Sequence, residues 1–111
     1  MARAVAVTLL FVTVLASAQQ QKSLEKALAE RRAQIDAIDA RLVSLLNERA
    51  RIVQEIGRIK RQMNAPVSAP KREQEVLRNV RQHNTGPLSP EAVARIYERV
   101  IAEMTALEQS R

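Results

Sequence analysis

Six side chains could do chemistry if the fold turns them inward: Arg32, Arg49, Lys60, Arg72, Glu73 and Glu108. Helical phase singles them out. Arg49 sits inside an apolar row, Ile35, Ile38, Leu42, Leu45, Arg49, Ile52, Ile56, Ile59, Met63, that recurs at spacings of three and four. Lys60 follows Arg49 by three helical turns and falls beside Leu46, Val53 and Ile56. Arg32 lies four after Leu28 and three before Ile35, and Arg31 fits almost as well. Arg72 and Glu73 precede Val76 and Leu77 by one turn, and Glu108 continues the row Tyr97, Ile101, Met104. A buried cation is costly unless paired. One reading is structural: long side chains snorkel outward, or Arg49 pairs with Glu73 or Glu108. As a set, however, these cations outnumber the two carboxylates. That surplus calls for a bound anion, most simply a small dicarboxylate held by forked guanidinium contacts.

The elements that must position these groups are helices. Helix-favouring Ala, Leu, Arg, Glu and Gln dominate, and Gly57 and Gly86 are the only glycines. The spacing predicts an all-α chain of one very long, one short and one medium helix. The first runs from about Lys22 to Met63, tolerating Gly57 at roughly 1 kcal/mol. From Leu28 to Met63 it spans on the order of 50 Å. A small chain cannot cover such a stripe alone, so a partner is expected, most simply a second copy. Asn64 and Pro66 end the helix. The second helix is expected over Pro70–Gln82, with Val76, Leu77 and Val80 inward. Ser89-Pro90-Glu91 then starts a third over Pro90–Gln109, its apolar face Val93, Ile96, Tyr97, Val100, Ile101, Met104 and Leu107.

Ahead of this domain, expected over residues 28–109, residues 1–18 read as a signal peptide. Ala4 to Leu15 is an apolar run, too short to span a bilayer, and Ala16-Ser17-Ala18 fits a cleavage site. Cleavage would leave Gln19 first, a flexible segment over 19–27, and an exported, periplasmic protein. A start assigned too early would instead leave it in the cytoplasm. The net charge of +6 suits anionic partners. No basic run of five and no aromatic interleaving is present, since Phe11 and Tyr97 are the only aromatics, which argues against a nucleic-acid platform. No stable membrane association is expected. The sequence has no Cys, and its one His, His83, falls in a turn-like stretch. Neither a metal nor a cofactor is expected.

The ordered series Arg32-x-x-Ile35-Asp36-x-Ile38-Asp39-x-x-Leu42-x-x-Leu45-Leu46-x-x-Arg49, then Ile56-Gly57-x-x-Lys60, Pro66-Val67, Arg72-Glu73 and Ile96-Tyr97 resembles the all-helical chorismate mutases. The resemblance covers about Leu28 to Glu108. It implies an intertwined homodimer of three-helix chains, and conversion of chorismate to prephenate on the Phe/Tyr branch of aromatic amino-acid biosynthesis. That rearrangement is concerted, without covalent intermediate or proton transfer. Such a site need only hold the dianion in its reactive shape and stabilise charge growing on the breaking ether oxygen.

The resemblance implies that Arg49 binds one carboxylate and that Arg32 reaches the other from the partner chain. Lys60 would donate to the ether oxygen, Glu73 would accept from the ring hydroxyl, and Arg72 would line the site. Three positions depart from the family pattern. Ala69 replaces an Asp, Met104 a Ser, and Glu108 a Gln that commonly donates to the ether oxygen. An ionised Glu108 repels the developing charge, so it helps only as the neutral acid, and activity is expected to rise as pH falls. An isochorismate-pyruvate lyase of the same fold and a non-enzymatic helical dimer are the alternatives.

Overall fold

The computed structural model describes residues 2–110, and among these the elements are helices α1 (Ala2–Met63), α2 (Pro70–His83) and α3 (Pro90–Gln109). α2 and α3 have the expected starts, and α2 ends one residue later than Gln82. α1 begins some twenty residues before the expected start near Lys22 and takes in residues 19–27, where the sequence suggested a flexible segment. The reason is local: Ala2 to Gln21 contains neither Gly nor Pro, so nothing in it terminates a helix.

The chain divides into two units, one ending at Ser44 and the other beginning at Leu45. In the first, every side chain from Leu9 to Ser44 is exposed. That includes the stripe residues Leu28, Ile35, Ile38 and Leu42, each at least half accessible.

The second unit holds the end of α1 with α2 and α3, and α2 packs on α3. The helix ends follow local chemistry. Asn64 takes φ 54°, the left-handed stop. Its N–H donates to the Arg61 carbonyl at 3.2 Å and that of Ala65 to the Lys60 carbonyl at 2.8 Å. This pair of bonds is a Schellman motif, which satisfies carbonyls a helix end leaves open. At the start of α3 the Ser89 hydroxyl accepts from the Ala92 N–H at 3.1 Å, and Pro90 follows as the first helical residue. α2 begins at Pro70 behind Ala69, which offers no capping side chain. Between α2 and α3 the Asn84 amide donates to the Leu88 carbonyl at 2.7 Å and brackets the turn. His83 closes α2. Its Nδ1 lies 2.8 Å from the Asn79 carbonyl, which can only accept, so Nδ1 carries the proton.

The core of this unit is small. Val53 and Ala94 are its buried apolar side chains, with Gly57 buried beside them. Val76, Leu77, Val80, Val93, Tyr97, Val100, Ile101, Met104 and Leu107 are half-buried on the expected faces. Ile96, expected inward, is 54% exposed. It borders an open apolar groove with Leu46, Ala50, Val100 and Leu107.

Candidate functional site

The inward-phased charges of the second unit meet in one cavity of about 420 Å³. α1 contributes Arg49, Ile52, Val53, Ile56 and Lys60 along one face. α2 contributes Arg72, Glu73 and Val76, and α3 contributes Ile101, Met104, Thr105 and Glu108. Val67 and Ala69, from the loop joining α1 to α2, complete the lining. The spacing explains the gathering: Arg49, Val53, Ile56 and Lys60 recur at four, three and four, and Ile101, Met104 and Glu108 at three and four.

Lys60 is the best-held group in the cavity. Its ammonium donates to the Val67 carbonyl at 2.8 Å and lies 2.7 Å from Glu108 Oε1. The Schellman turn that begins on the Lys60 carbonyl folds the loop back over its own side chain. Glu108 is buried, 8% exposed. Its Oε1 is close to the ammonium yet lacks the angle of a hydrogen bond. The contact is therefore an ion pair at close range, with an acceptor still available.

Arg49 differs. It is half-buried on the cavity wall and makes no ion pair or hydrogen bond among the described residues. The structural reading, in which Glu73 or Glu108 neutralises it, fails: Glu108 is taken by Lys60, and Glu73 forms no ion pair among the described residues. Arg72 departs from its expected inward position. Its side chain is 63% exposed and reaches Glu75 along the helix surface at 3.3 Å, so it lines the mouth of the cavity. Arg32 lies on the first unit, exposed, and is not among the residues lining this cavity.

The lining therefore carries three cations against two carboxylates, the surplus the sequence suggested. A half-enclosed cavity with apolar walls, an unpaired guanidinium and a fixed ammonium can hold a small carboxylate-bearing anion. Met104 and Ala69 present no polar atom at the places where the family pattern has Ser and Asp. Sequence reasoning missed Thr105, which joins the lining one residue from Met104, and the Val67 carbonyl. The first could have been suspected from its place between Ile101 and Glu108. No side-chain pattern encodes the second.

Fold and lining together define an all-helical domain with a cavity whose lining carries more cations than carboxylates. Residues 31–109 match the family model for chorismate mutase type II, and the chain belongs to that family. The chain is 42% identical over 83 residues to a bifunctional chorismate mutase/prephenate dehydratase of Pseudomonas aeruginosa. That match covers 70% of this chain but only 23% of the relative, so the chain spans about a quarter of the curated relatives' length. Among solved structures, chorismate mutase (form II) from Thermus thermophilus superposes with a TM-score of 0.74 at 31% identity. It covers 76% of this chain and 96% of that one. Chorismate mutase from Helicobacter pylori in complex with prephenate gives 0.70 at 33% identity, covering 76% and 91%.

Proposed function

We propose that the chain is a chorismate mutase that rearranges chorismate to prephenate in the cavity of its second unit. The observation that carries this reading is Arg49, a half-buried residue lining an apolar-walled cavity without a partner among the described residues. A substrate carboxylate supplies that partner through a two-pronged contact. Lys60 donates to the ether oxygen as its charge grows. Being already fixed by the Val67 carbonyl, it spends little reorganisation in doing so. Glu73 accepts from the ring hydroxyl, and Arg72 draws the dianion to the mouth. Glu108 assists as the neutral acid; ionised, it competes with substrate for Lys60.

The working form is a homodimer, in which Arg32 reaches the partner's cavity and adds the second carboxylate contact. The exposed stripe from Leu28 to Leu42 and the small core of the second unit support it. Export to the periplasm after removal of residues 1–18 is supported by the A-x-A site. The exposed run Leu9, Leu10, Phe11, Val12, Val14 and Leu15 fits a segment outside the folded domain. No helix among the described residues is long and apolar enough to cross a membrane.

The test is turnover of chorismate by protein beginning at Gln19, with isochorismate assayed in parallel and Arg49→Ala and Lys60→Ala as controls. Prephenate formation lost in both variants supports the reading. Pyruvate release from isochorismate alone points to the lyase. Turnover of neither substrate leaves a helical dimer without this chemistry.

A further inference from the structure

Gly57 is an interior residue of α1, where glycine is a poor helix former, and it is buried. A methyl group placed on its Cα would stand 3.2 Å from Glu108 Cγ and 3.4 Å from the Glu108 carbonyl oxygen. Arg61 Nη1 would also lie 3.4 Å away. The bare Cα is therefore a notch in α1 that receives the last turn of α3. Lys60 lies one turn further along the same face, and its ammonium is 2.7 Å from the carboxylate of the residue that fills the notch. Glu108 has little freedom to retreat. It is buried, its backbone belongs to α3, and its head is drawn to Lys60.

We infer that Gly57 is a positioning residue, whose missing Cβ seats Glu108 so that its carboxylate reaches Lys60. This rests on the reaction proposed above for its catalytic meaning, but the seating is a property of the fold alone. Gly57 touches no substrate. It acts through Glu108, which pairs with Lys60 and shares the cavity with Arg49, Arg72 and Glu73, while Arg61 Nη1 lies near the same notch.

The experiment is a double-variant cycle on the full chain: wild type, Gly57→Ala, Glu108→Ala and the pair. Thermal unfolding is read first. Alanine's better helix propensity alone would raise Tm by about 4–8 °C. In the wild-type background the contact with Cγ cancels or reverses that gain. With Glu108→Ala the Cγ is gone, and the gain returns. An equal rise in both backgrounds overturns the inference.

The second readout is the dependence of kcat/KM for chorismate on pH between about 4.5 and 8. Gly57→Ala is expected to shrink the wild-type dependence, Glu108→Ala to remove it, and the pair to match Glu108→Ala. If Gly57→Ala keeps the full wild-type profile, the notch serves packing only and the positioning role is refuted. If the wild type turns over no chorismate at any pH, the proposed reaction fails, and the Tm cycle alone decides whether the notch seats Glu108.

Discussion

Glu108→Gln is expected to make the protein less stable and, at neutral pH, more active. The perturbation removes one negative charge from the cavity lining and keeps the shape of the side chain. The stability loss comes from the Lys60 contact at 2.7 Å, where an ion pair becomes a contact between the ammonium and a neutral amide. Deleting one partner of a fully buried pair costs about 3–5 kcal/mol. Here Lys60 is 21% exposed and keeps the Val67 carbonyl, so about 1–2 kcal/mol is expected, a fall in Tm of several degrees.

The activity gain has the opposite sign. A like charge about 5 Å from developing negative charge costs about 3 kcal/mol at an effective dielectric of 20. The cavity is half open, and solvent reduces this to about 1.4 kcal/mol, or roughly tenfold in kcat/KM. The assay is initial-rate turnover of chorismate across the pH range, with melting curves on the same preparations. The wild type should lose activity as pH rises, while Glu108→Gln should hold a flatter, higher profile. A variant that melts earlier with unchanged or lower activity at neutral pH would refute the reasoning: Glu108 would then be holding Lys60 in place, not opposing the substrate.

Arg49→Ala should lower kcat/KM by about 100-fold or more while moving Tm little, because its guanidinium has no partner among the described residues to leave unpaired; kinetics and melting curves check both halves. Ser89→Ala should cost about 1 kcal/mol by removing the cap on Ala92 N–H, seen as a lower denaturant midpoint with unchanged KM. Ile38→Asp, on the exposed stripe, should convert the proposed dimer to monomer or unfolded chain in sedimentation and abolish turnover, since in that proposal Arg32 would no longer be delivered. Tm should rise with protein concentration, as expected when association supplies much of the stability.

The sequence made the helical order and most of the cavity lining visible, because both follow from spacing. A row at three and four cannot hold Arg49 and Lys60 without turning them to the same side as Val53 and Ile56. The stop at Asn64 and the start at Ser89 were equally legible, since each rests on a residue type with a specific backbone use. Arg72 lines the cavity as expected, but at its mouth and not inward, because phase alone cannot see Glu75, three residues on, beside which the guanidinium lies along the helix surface. The α1 start was misplaced because a leader-like run and a helix share the same residues, and propensity continues where function does not. What spacing could not reach was tertiary: the Lys60–Glu108 pair, the Val67 carbonyl, and the close approach of Glu108 to Gly57 in the middle of α1.

The bond from Lys60 to the Val67 carbonyl has a consequence for how such a chain can change over time. The acceptor is main chain, so any residue that keeps the local path can occupy position 67 and still tether the ammonium. Side-chain drift in this connection is therefore cheap. Length is not: an insertion or deletion between Asn64 and Ala69 moves the carbonyl itself. Indels there should disable the site sooner than point changes, although none of those residues is charged.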